Sequence, residues 1–382
     1  FTPRYVIEMC VKMMNPKENE KMIDTACGSS GFPVHTIFHV WRQMAKDRNI
    51  KVSELFSLDQ KPFDFTEYVK ENIFGIDFDE KAVRVARTLN LIAGDGHTNV
   101  LHLNTLDYDR WDETAKQDDW IRTYFEGFSR LKDLHRGKGY QEFDFDIVMA
   151  NPPFAGDVKE TRILGRYELG KNAQGKMQNK VGRDILFIER NLDFLKPGGR
   201  MAIVLPHGVL FRGAAEGKIR EKLLRSGNIY AVIGLPANLF YNTSIPTCII
   251  ILKKHRDGRD VLFIDASKKF NKGKKQNEML DEHIDEVMNL YTKRETVEKE
   301  AFLASFEDIE KNDFNLNIPR YVDTFEEEEP IDLNALLTDM KKTDEEIEKV
   351  EGEFLSLMKQ LTSTDETIMT SLNDLIGMME GK

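Results

Sequence analysis

The sequence is poor in cysteine and contains no long apolar run, and each absence excludes a class of protein. Its three cysteines, Cys10, Cys27 and Cys248, are too few and too scattered among 382 residues for a disulfide framework or a zinc site. The longest apolar runs, such as residues 247–252, are far shorter than the roughly 20 residues that span a bilayer. A secretory signal is also missing. We therefore expect a cytoplasmic protein with no bound metal and no membrane segment.

Net positive charge is lacking as well, since the chain carries a formal charge of -11. The acidity is local: residues 301–382 contain 21 acidic and 7 basic residues, which leaves 47 basic against 44 acidic residues in residues 1–300. Residues 157–225 alone contain 15 basic and 8 acidic residues. A polyanion can bind such a stretch, although surface lysine and arginine are common in proteins without that partner.

Short apolar runs rich in Ile and Val alternate with longer segments of helical period from residue 21 to about residue 265. This alternation predicts an α/β fold, a mostly parallel sheet with helices on both faces. The predicted strands are residues 21–25, 72–76, 99–103, 145–150, 200–205, 229–234 and 247–252, and the clearest predicted helices are residues 81–93, 184–195 and 216–225. Residues 49–70 and 107–139 fit this pattern poorly and are interpreted as insertions.

The last 52 residues change in character and predict a helical arm. Apolar side chains recur at alternating spacings of three and four, interrupted only by Thr343. The members of this seam are Leu333, Leu336, Met340, Ile347, Val350, Phe354, Leu357 and Leu361, and a second short run from Ile368 to Met379 follows a turn. A helix folded back on its own domain and an arm that pairs with another chain both fit. The regular seam, separated from the sheet by acidic residues 326–329 and Pro330, favours the arm.

Glycine and other small residues follow the first predicted strand. Residues 24–32 read Asp-Thr-Ala-Cys-Gly-Ser-Ser-Gly-Phe and lead into a predicted helix at residues 34–41. Glycine lets the backbone approach a ligand, and free amides at a helix N-terminus suit a carboxylate or a phosphate. A plain structural turn also fits. The third glycine of dinucleotide-binding loops and the Lys-Ser/Thr of nucleotide-phosphate loops are missing, which disfavours hydride transfer and NTP hydrolysis.

Asp77 directly follows the next predicted strand, residues 72–76. An acidic side chain at that position can accept hydrogen bonds from both hydroxyls of a ribose. It can equally cap the following helix, as can Asp79. Because Asp77 follows Gly28 and Gly31 in order along the chain, the ribose interpretation is favoured.

The sharpest motif is Asn151-Pro152-Pro153-Phe154, which follows the apolar strand at residues 145–150. Parallel sheets bind ligands at this carboxyl end of their strands. Consecutive prolines fix the backbone, so the Asn151 amide oxygen and the Pro152 carbonyl can converge on one exocyclic amino group. Phe154 offers a face on which a planar group can stack. A rigid Pro-Pro turn without chemistry is the alternative.

The motifs and their order along the chain resemble the N6-adenine DNA methyltransferases, most closely the modification (M) subunit of Type I restriction-modification systems. The motifs that carry this resemblance are residues 1–4 (Phe-Thr-Pro-Arg), residues 24–32, Asp77 and residues 151–154. Further stretches similar to that family are residues 195–200, 205–211, 232–236, 238–241, 245–247, 263–267 and 315–321. The resemblance covers about residues 1–322. It implies a Rossmann-like sheet of the class I S-adenosylmethionine-dependent methyltransferases over residues 1–265, a mixed α/β extension over residues 266–330 and the helical arm over residues 331–382. Because the chain opens on Phe1, we expect the family's N-terminal helical domain to be absent from it.

The resemblance also implies the roles of individual residues. The catalytic residues are Asn151, Pro152, Pro153 and Phe154, and the residues that bind S-adenosylmethionine are Phe1, Thr2, Pro3, Arg4, Asp24, Cys27, Gly28, Ser29, Ser30, Gly31, Phe32, Asp77 and Asn104. Thr25, Ser29, Ser30 and Asn104 stand where the family usually has Pro, Thr, Gly and Asp. The segment at residues 159–183 is interpreted as a mobile loop that closes on DNA, with Arg162, Arg166, Lys171, Lys176, Lys180 and Arg183 as phosphate contacts.

The activity implied by the resemblance is transfer of a methyl group from S-adenosylmethionine to N6 of an adenine flipped out of double-stranded DNA. The implied partners are a specificity (S) subunit bound by two M subunits, with a restriction (R) subunit as a further partner. Methyl transfer to a protein glutamine is the alternative enzyme. A non-catalytic DNA-binding or assembly subunit is the alternative outside the enzymes.

Overall fold

The computed structural model describes residues 1–58, 61–92, 99–137, 139–172, 174–241, 243–323 and 333–380. Its strands are β1 (Met22–Asp24), β2 (Ile73–Asp77), β3 (Asn99–His102), β4 (His135–Arg136), β5 (Glu142–Phe143), β6 (Phe145–Ala150), β7 (Asp157–Val158), β8 (Val181–Gly182), β9 (Leu195–Pro206), β10 (Ile229–Gly234), β11 (Thr247–Lys253), β12 (Val261–Asp265), β13 (Asn271–Lys272), β14 (Asn277–Glu278) and β15 (Ala301–Ala304). Short 3-10 helices lie at Tyr108–Arg110, Glu168–Gly170, His207–Leu210 and Ile318–Arg320.

The α-helices complete the two sides of the sheet and the C-terminal segment. They are α1 (Arg4–Met14), α2 (Gly31–Asp47), α3 (Val52–Ser57), α4 (Phe63–Asn72), α5 (Glu80–Ile92), α6 (Trp111–Thr114), α7 (Asp118–Asp133), α8 (Thr161–Leu164), α9 (Arg183–Phe194), α10 (Ala214–Arg225), α11 (Asp281–Lys293), α12 (Phe306–Lys311), α13 (Leu333–Met358) and α14 (Glu366–Glu380). Over the described ranges, none of these helices combines the length and the apolar character needed to cross a membrane.

Nine strands form one sheet in the order β15-β12-β10-β11-β9-β6-β1-β2-β3. The five strands from β9 to β3 in this order are parallel, whereas β11 is antiparallel to both of its neighbours. β12 is parallel to β10, and β15 is antiparallel to β12. The chain winds outwards from β1 to β3 and then returns to β6 on the other side of β1. This change of direction makes a crevice at the carboxyl ends of β1 and β6, where open α/β sheets bind their ligands.

The sheet lies between two apolar layers because successive strand residues point to opposite faces. Ile147 and Met149 of β6 pack in the layer that contains side chains of α1, α2 and α11. Val148 packs in the other layer, with side chains of α5, α7, α9 and α10. Burial on both faces is the reason that strands such as β11 are continuously apolar rather than alternating.

The predicted strands are all present, and β6 and β10 have the predicted bounds. β12 and β15 are additional strands that the sequence pattern did not predict. β15 has four residues, too few to display a period, and its conformation is specified by pairing with β12 at the sheet edge. Residue 93, the predicted end of the helix that begins at Glu80, lies outside the described residues.

The two stretches interpreted as insertions contribute no strand to the main sheet where they are described, yet both supply core side chains. In the first, Phe65 of α4 is buried, and its carbonyl accepts a hydrogen bond of 3.0 Å from Trp41 Nε1. In the second, α7 packs on β3 and buries Trp120 and Phe128. Their aromatic residues therefore anchor them to the fold.

Residues Phe325–Lys382 form a unit separate from Phe1–Thr324. Within this C-terminal unit α13 contacts α14, and Lys359 is paired with Glu380. Neither helix has a buried residue, and Leu333, Ile347 and Val350 of the apolar seam are each at least 50% exposed. The acidic residues 326–329 and Pro330 lie outside the described residues. Pairing of the seam with another chain stays a prediction.

Candidate active site

The loop between β1 and α2 adopts a conformation that its small residues allow. Gly28 has φ of +51° and Ser30 has φ of +70°, so both are left-handed. Ser30 stands where the family resemblance predicts glycine, and this backbone conformation explains that preference. Gly31 begins α2 so close to Ile7 that a β-carbon at Gly31 would lie 2.6 Å from Ile7 Cδ1. The loop and α1 thus approach each other closely at the carboxyl end of β1.

Two carboxylates at the ends of β1 and β2 hold this loop. Asp77 accepts hydrogen bonds of 2.8 Å from the amides of Gly28 and Asp79. Asp24 accepts one of 3.1 Å from the amide of Ala26 and is only 2% exposed. Burial raises the pKa of Asp24 well above its usual value; the Ala26 amide opposes this rise and the Asp77 carboxylate adds to it. The position of Asp77 is therefore set by backbone amides at both of its oxygens.

Asn151 follows β6 and presents an acceptor without a partner. Its Nδ2 donates a hydrogen bond of 2.9 Å to Thr2 Oγ1, which fixes the plane of the amide. Its Oδ1 is buried and accepts no hydrogen bond from the described residues. A buried acceptor left without a donor costs about 1–3 kcal/mol, so native proteins keep such a group mainly where a ligand or a water supplies the donor.

Phe154 lines the same cavity as Asn151 and contacts the ring of Phe240. Its centroid lies 5.4 Å from that of Phe240 at an interplanar angle of 67°, an edge-to-face contact. Phe240 is 4% exposed, whereas the following Tyr241 is 61% exposed. Phe240, which is distant from Phe154 in sequence, therefore supports the Phe154 ring through this contact.

The predicted catalytic and cofactor residues meet at one cavity of about 550 Å³. Its walls contain Phe1, Thr2, Asp24, Cys27, Gly28, Ser29, Gly31, Phe32, Asp77, Asn151, Pro152, Pro153 and Phe154. A smaller cavity of about 260 Å³ contains Asn104 in its wall and shares Asp77 and Pro153 with the larger one. The structure thus brings together most of the residues that the sequence singled out.

Three predicted cofactor residues line neither of these two cavities. Arg4 is paired with Glu8 at 2.9 Å, and Pro3 is buried as the residue that precedes α1. Ser30 is fully buried beneath the loop. Further wall residues that the sequence did not single out include Ile7, Asp79, Lys81, Val85, Phe240 and Tyr241. Only Phe240 and Tyr241 lie in a stretch that resembles the family, so only they gave a signal.

A buried polar network beneath the cavities ties their loops to α9. Thr25 Oγ1 donates to Asn191 Oδ1 at 2.7 Å, and Thr105 Oγ1 donates to the Thr25 carbonyl at 2.6 Å. Arg190 Nε donates to the Thr105 carbonyl at 3.1 Å. None of these four residues is more than 3% exposed. Thr25, which replaces the usual proline of the family, therefore connects the loop after β1 with the loop after β3.

The segment at residues 159–183 is anchored to the fold by some of its side chains, and its closure on DNA as a mobile loop stays a prediction. Five of its apolar side chains are buried in the core, namely Ile163, Leu164, Tyr167, Leu169 and Val181. β7 and β8 pair with each other just before and at the end of the segment. The apolar residues are spread among polar ones without a clear period, which is why the sequence pattern did not reveal them.

Three of the six predicted phosphate contacts form ion pairs inside the chain, namely Arg162–Asp107 (2.5 Å), Arg166–Asp109 (2.5 Å) and Lys180–Asp157 (2.8 Å). Within the described part of the chain, Lys171 and Lys176 are exposed and have no such pair. Arg183 is half-buried beside the smaller cavity. Because pairing cancels much of the local charge, this surface attracts a polyanion less than its composition predicts.

Comparison with known proteins identifies the family. A model of the N-6 DNA Methylase family matches residues 1–330. The methylase subunit of the Type I restriction enzyme MjaVII from Methanocaldococcus jannaschii is 28% identical over 373 residues, which is 93% of this chain and 54% of that protein. The EcoEI methylase subunit from Escherichia coli is 26% identical over 332 residues, with 83% of this chain and 56% of that protein covered. The chain spans about half the length of these relatives.

A solved structure gives the same result. The type I restriction-modification system methyltransferase subunit from Streptococcus thermophilus is 35% identical, with a TM-score of 0.63 over 84% of this chain and 59% of that one. This likeness confirms the predicted α/β methyltransferase fold. The family match extends over the sheet, both cavities and the Asn151 motif, so the predicted resemblance is confirmed as well. The chain belongs to the N-6 DNA methylase family.

Proposed function

We propose that this chain is the catalytic part of an adenine-specific DNA methyltransferase, the M subunit of a Type I restriction-modification complex. It transfers a methyl group from S-adenosylmethionine to N6 of adenine. The observation that carries the proposal is the unpartnered Asn151 Oδ1 at the cavity wall, next to Pro152 and Phe154. Membership of the family and the names of the relatives support it.

The residues around the two cavities, which share Asp77 and Pro153 in their walls, fit S-adenosylmethionine. Asp77 lines both cavities and would accept hydrogen bonds from the ribose hydroxyls. The loop at Gly28 would hold the methionine end in the larger cavity, and Asn104 would lie beside the purine in the smaller one. When bound, the cofactor supplies an electrophilic methyl group.

Asn151 supplies the chemistry that adenine needs. The lone pair of N6 is delocalised into the purine ring, which makes the amino group a poor nucleophile. When Asn151 Oδ1 accepts a hydrogen bond from N6–H, it favours a pyramidal nitrogen whose lone pair is directed out of the ring plane. Thr2 Oγ1 holds the opposite end of the amide, so Oδ1 is already oriented before the base arrives. Positioning of this kind provides much of the acceleration, without a covalent enzyme intermediate.

Phe154 provides the surface for the base. Adenine inside a duplex cannot reach the cavity, so the base leaves the stack, which costs a few kcal/mol, and is received on the Phe154 ring. Phe240 packs against Phe154 in an edge-to-face contact and so supports the position of that ring. Aromatic stacking of one base contributes about 1–3 kcal/mol, which offsets part of the unstacking.

We further propose how DNA and partner subunits bind. Lys171 and Lys176 contact phosphates of double-stranded DNA, because they remain without an acid partner within the described residues. A specificity subunit supplies sequence recognition, two M subunits join it, and a restriction subunit adds to that complex. The exposed apolar seam of α13 and α14 is the docking element for the specificity subunit.

Labelled methyl transfer tests the proposal. The protein is co-expressed with its specificity subunit and incubated with DNA and radiolabelled S-adenosylmethionine, in wild-type and Asn151→Ala forms. The variant should bind the cofactor normally and transfer label at least about a hundredfold more slowly, since one positioned acceptor in the transition state is lost. Asn271→Ala, at an exposed asparagine of β13, should transfer at the wild-type rate. Equal rates for Asn151→Ala and wild type would refute the role of Asn151, and label on protein rather than DNA would favour glutamine methylation.

A further inference from the structure

Arg183 lies at a site in the structure that its location in the basic segment at residues 159–183 does not predict. It is the last basic residue of that segment, where the sequence suggests a phosphate contact. In the structure it begins α9 and lines the smaller cavity together with Asp77 and Asn104. Arg183 therefore lines a cavity whose wall shares Asp77 and Pro153 with the larger cavity at the Asn151 motif.

The guanidinium is held there by Gly156. The Arg183 amide donates a hydrogen bond of 2.9 Å to the Gly156 carbonyl. A β-carbon on Gly156 would lie 2.9 Å from Arg183 Nη2, so the side chain packs directly against the bare α-carbon of that glycine. The pairing of Asp157 with Gly182 in the β7–β8 ladder fixes the two segments at this distance. Both the backbone and the side chain of Arg183 are thus positioned by Gly156, which lies two residues after the Asn151-Pro-Pro-Phe motif.

Within the described ranges, no hydrogen bond or ion pair joins the Arg183 guanidinium to another side chain. Three acids share the cavity wall, and all are engaged elsewhere. Asp77 accepts hydrogen bonds of 2.8 Å from the amides of Gly28 and Asp79. Asp157 is paired with Lys180 at 2.8 Å, and Glu160 accepts a hydrogen bond of 3.2 Å from the amide of Lys159. A half-buried, positioned guanidinium without an acid partner can bind a ligand that enters the cavity.

We propose that Arg183 binds the purine of S-adenosylmethionine and does not contact a DNA phosphate. This inference rests on the proposed function, which assigns both cavities to the cofactor. A purine presents ring nitrogens that accept N–H hydrogen bonds and a face on which a planar guanidinium stacks. Leu106, Ile163 and Phe187 give the rest of the smaller cavity apolar walls that suit a flat ring, and Asp77 marks the side from which the ribose enters.

Calorimetric titration with two probes tests this assignment. S-adenosylhomocysteine carries the complete adenosyl and amino-acid parts, and 5′-methylthioadenosine carries the purine and ribose alone. Arg183→Gln and Arg183→Lys should each weaken both probes by about five- to tenfold, because lysine keeps the charge but not the planar fork. Lys272→Gln, at an exposed lysine of β13, should leave both affinities unchanged. The salt dependence of DNA binding should be the same for Arg183→Gln and wild type, because the removed charge contacts no phosphate.

The outcomes separate this inference from the proposed function. Wild-type affinities for both probes in the two Arg183 variants overturn it, as does a loss confined to S-adenosylhomocysteine. A reduced salt dependence of DNA binding in Arg183→Gln, with unchanged probe affinity, assigns Arg183 to a phosphate instead. If the wild-type chain binds neither probe, the proposed function fails together with this inference. Thermal unfolding of each variant is measured in parallel, and Arg183→Lys decides if Arg183→Gln does not fold.

Discussion

Replacement of Arg190 by methionine is expected to lower the stability of the unit Phe1–Thr324 by about 3–5 kcal/mol. Arg190 is fully buried on α9. Its guanidinium donates hydrogen bonds to the carbonyls of Thr105 at 3.1 Å, Tyr140 at 2.7 Å and Gln141 at 2.5 Å. These bonds join the loop after β3 to the chain that leads into β5. Methionine has a similar length and no donor, so the substitution removes the bonds while it retains part of the packing.

The expected loss follows from the groups left behind. Three carbonyls lose a charged donor, and a buried acceptor without a partner costs about 1–3 kcal/mol each. The guanidinium also lies 4.4 Å from the Tyr108 ring centroid and 4.3 Å from that of Phe194, contacts that methionine replaces in part. The variant no longer buries a cation, and this gain offsets part of the loss of stability. The net loss is therefore expected to be close to that caused by breaking a buried ion pair.

Urea unfolding followed by tryptophan fluorescence measures this effect. Trp41, Trp111 and Trp120 are the three tryptophans of the chain and all lie in the first unit, so the signal reports that unit. The midpoint should fall with an unchanged slope. Arg122→Met, at an exposed arginine of α7, should change stability by less than about 0.5 kcal/mol. A loss below about 1 kcal/mol for Arg190→Met would refute the assigned role of the network.

Three further predictions concern single residues. Asn191→Leu removes the acceptor of the Thr25 hydroxyl, so the affinity for S-adenosylmethionine, measured by calorimetry, should fall about fivefold; an unchanged affinity would disprove the coupling. Ser30→Gly relieves a left-handed backbone and removes a buried unpartnered hydroxyl, and should stabilise the chain by about 1 kcal/mol in urea; a lower midpoint contradicts this. Burial raises the pKa of Asp193 to about 6, against the opposing charge of Arg190, so its stabilising contribution is complete below pH 3.8 and lost as the pH rises through 6. Asp193→Asn should therefore raise the Tm more at pH 8 than at pH 4.5, and equal shifts would contradict the raised pKa.

The local sequence pattern was sufficient to predict the structure of segments that determine their own conformation. β6 has the predicted bounds because six mainly apolar residues end at Asn151-Pro152-Pro153, which cannot continue a strand. The loop at Gly28 was predictable from its small residues, and the Asn151 motif was placed at the correct sheet edge. The order of these motifs along the chain also predicted that they would meet, since parallel strands present their carboxyl ends on one side.

Contacts between distant segments could not be predicted in this way. The hydrogen bond from Thr25 to Asn191 joins residues 166 positions apart, and no local pattern encodes it. Arg183 looked like one of several basic residues until the packing against Gly156 placed it at a cavity. The acids that neutralise Arg162 and Arg166 come from the 3-10 turn after β3 and the loop just before it. Charge counted along the sequence therefore overstated the basic surface.

Mass spectrometry of nucleosides tests the central proposal most directly. DNA is recovered from cells that express the protein with its specificity subunit, digested, and compared with DNA from cells that carry Asn151→Ala. The proposed function predicts N6-methyl-2′-deoxyadenosine above background with the wild-type protein and none above background with the variant. A methyl group found on cytosine, or N6-methyladenine that persists at the wild-type level with Asn151→Ala, would contradict it.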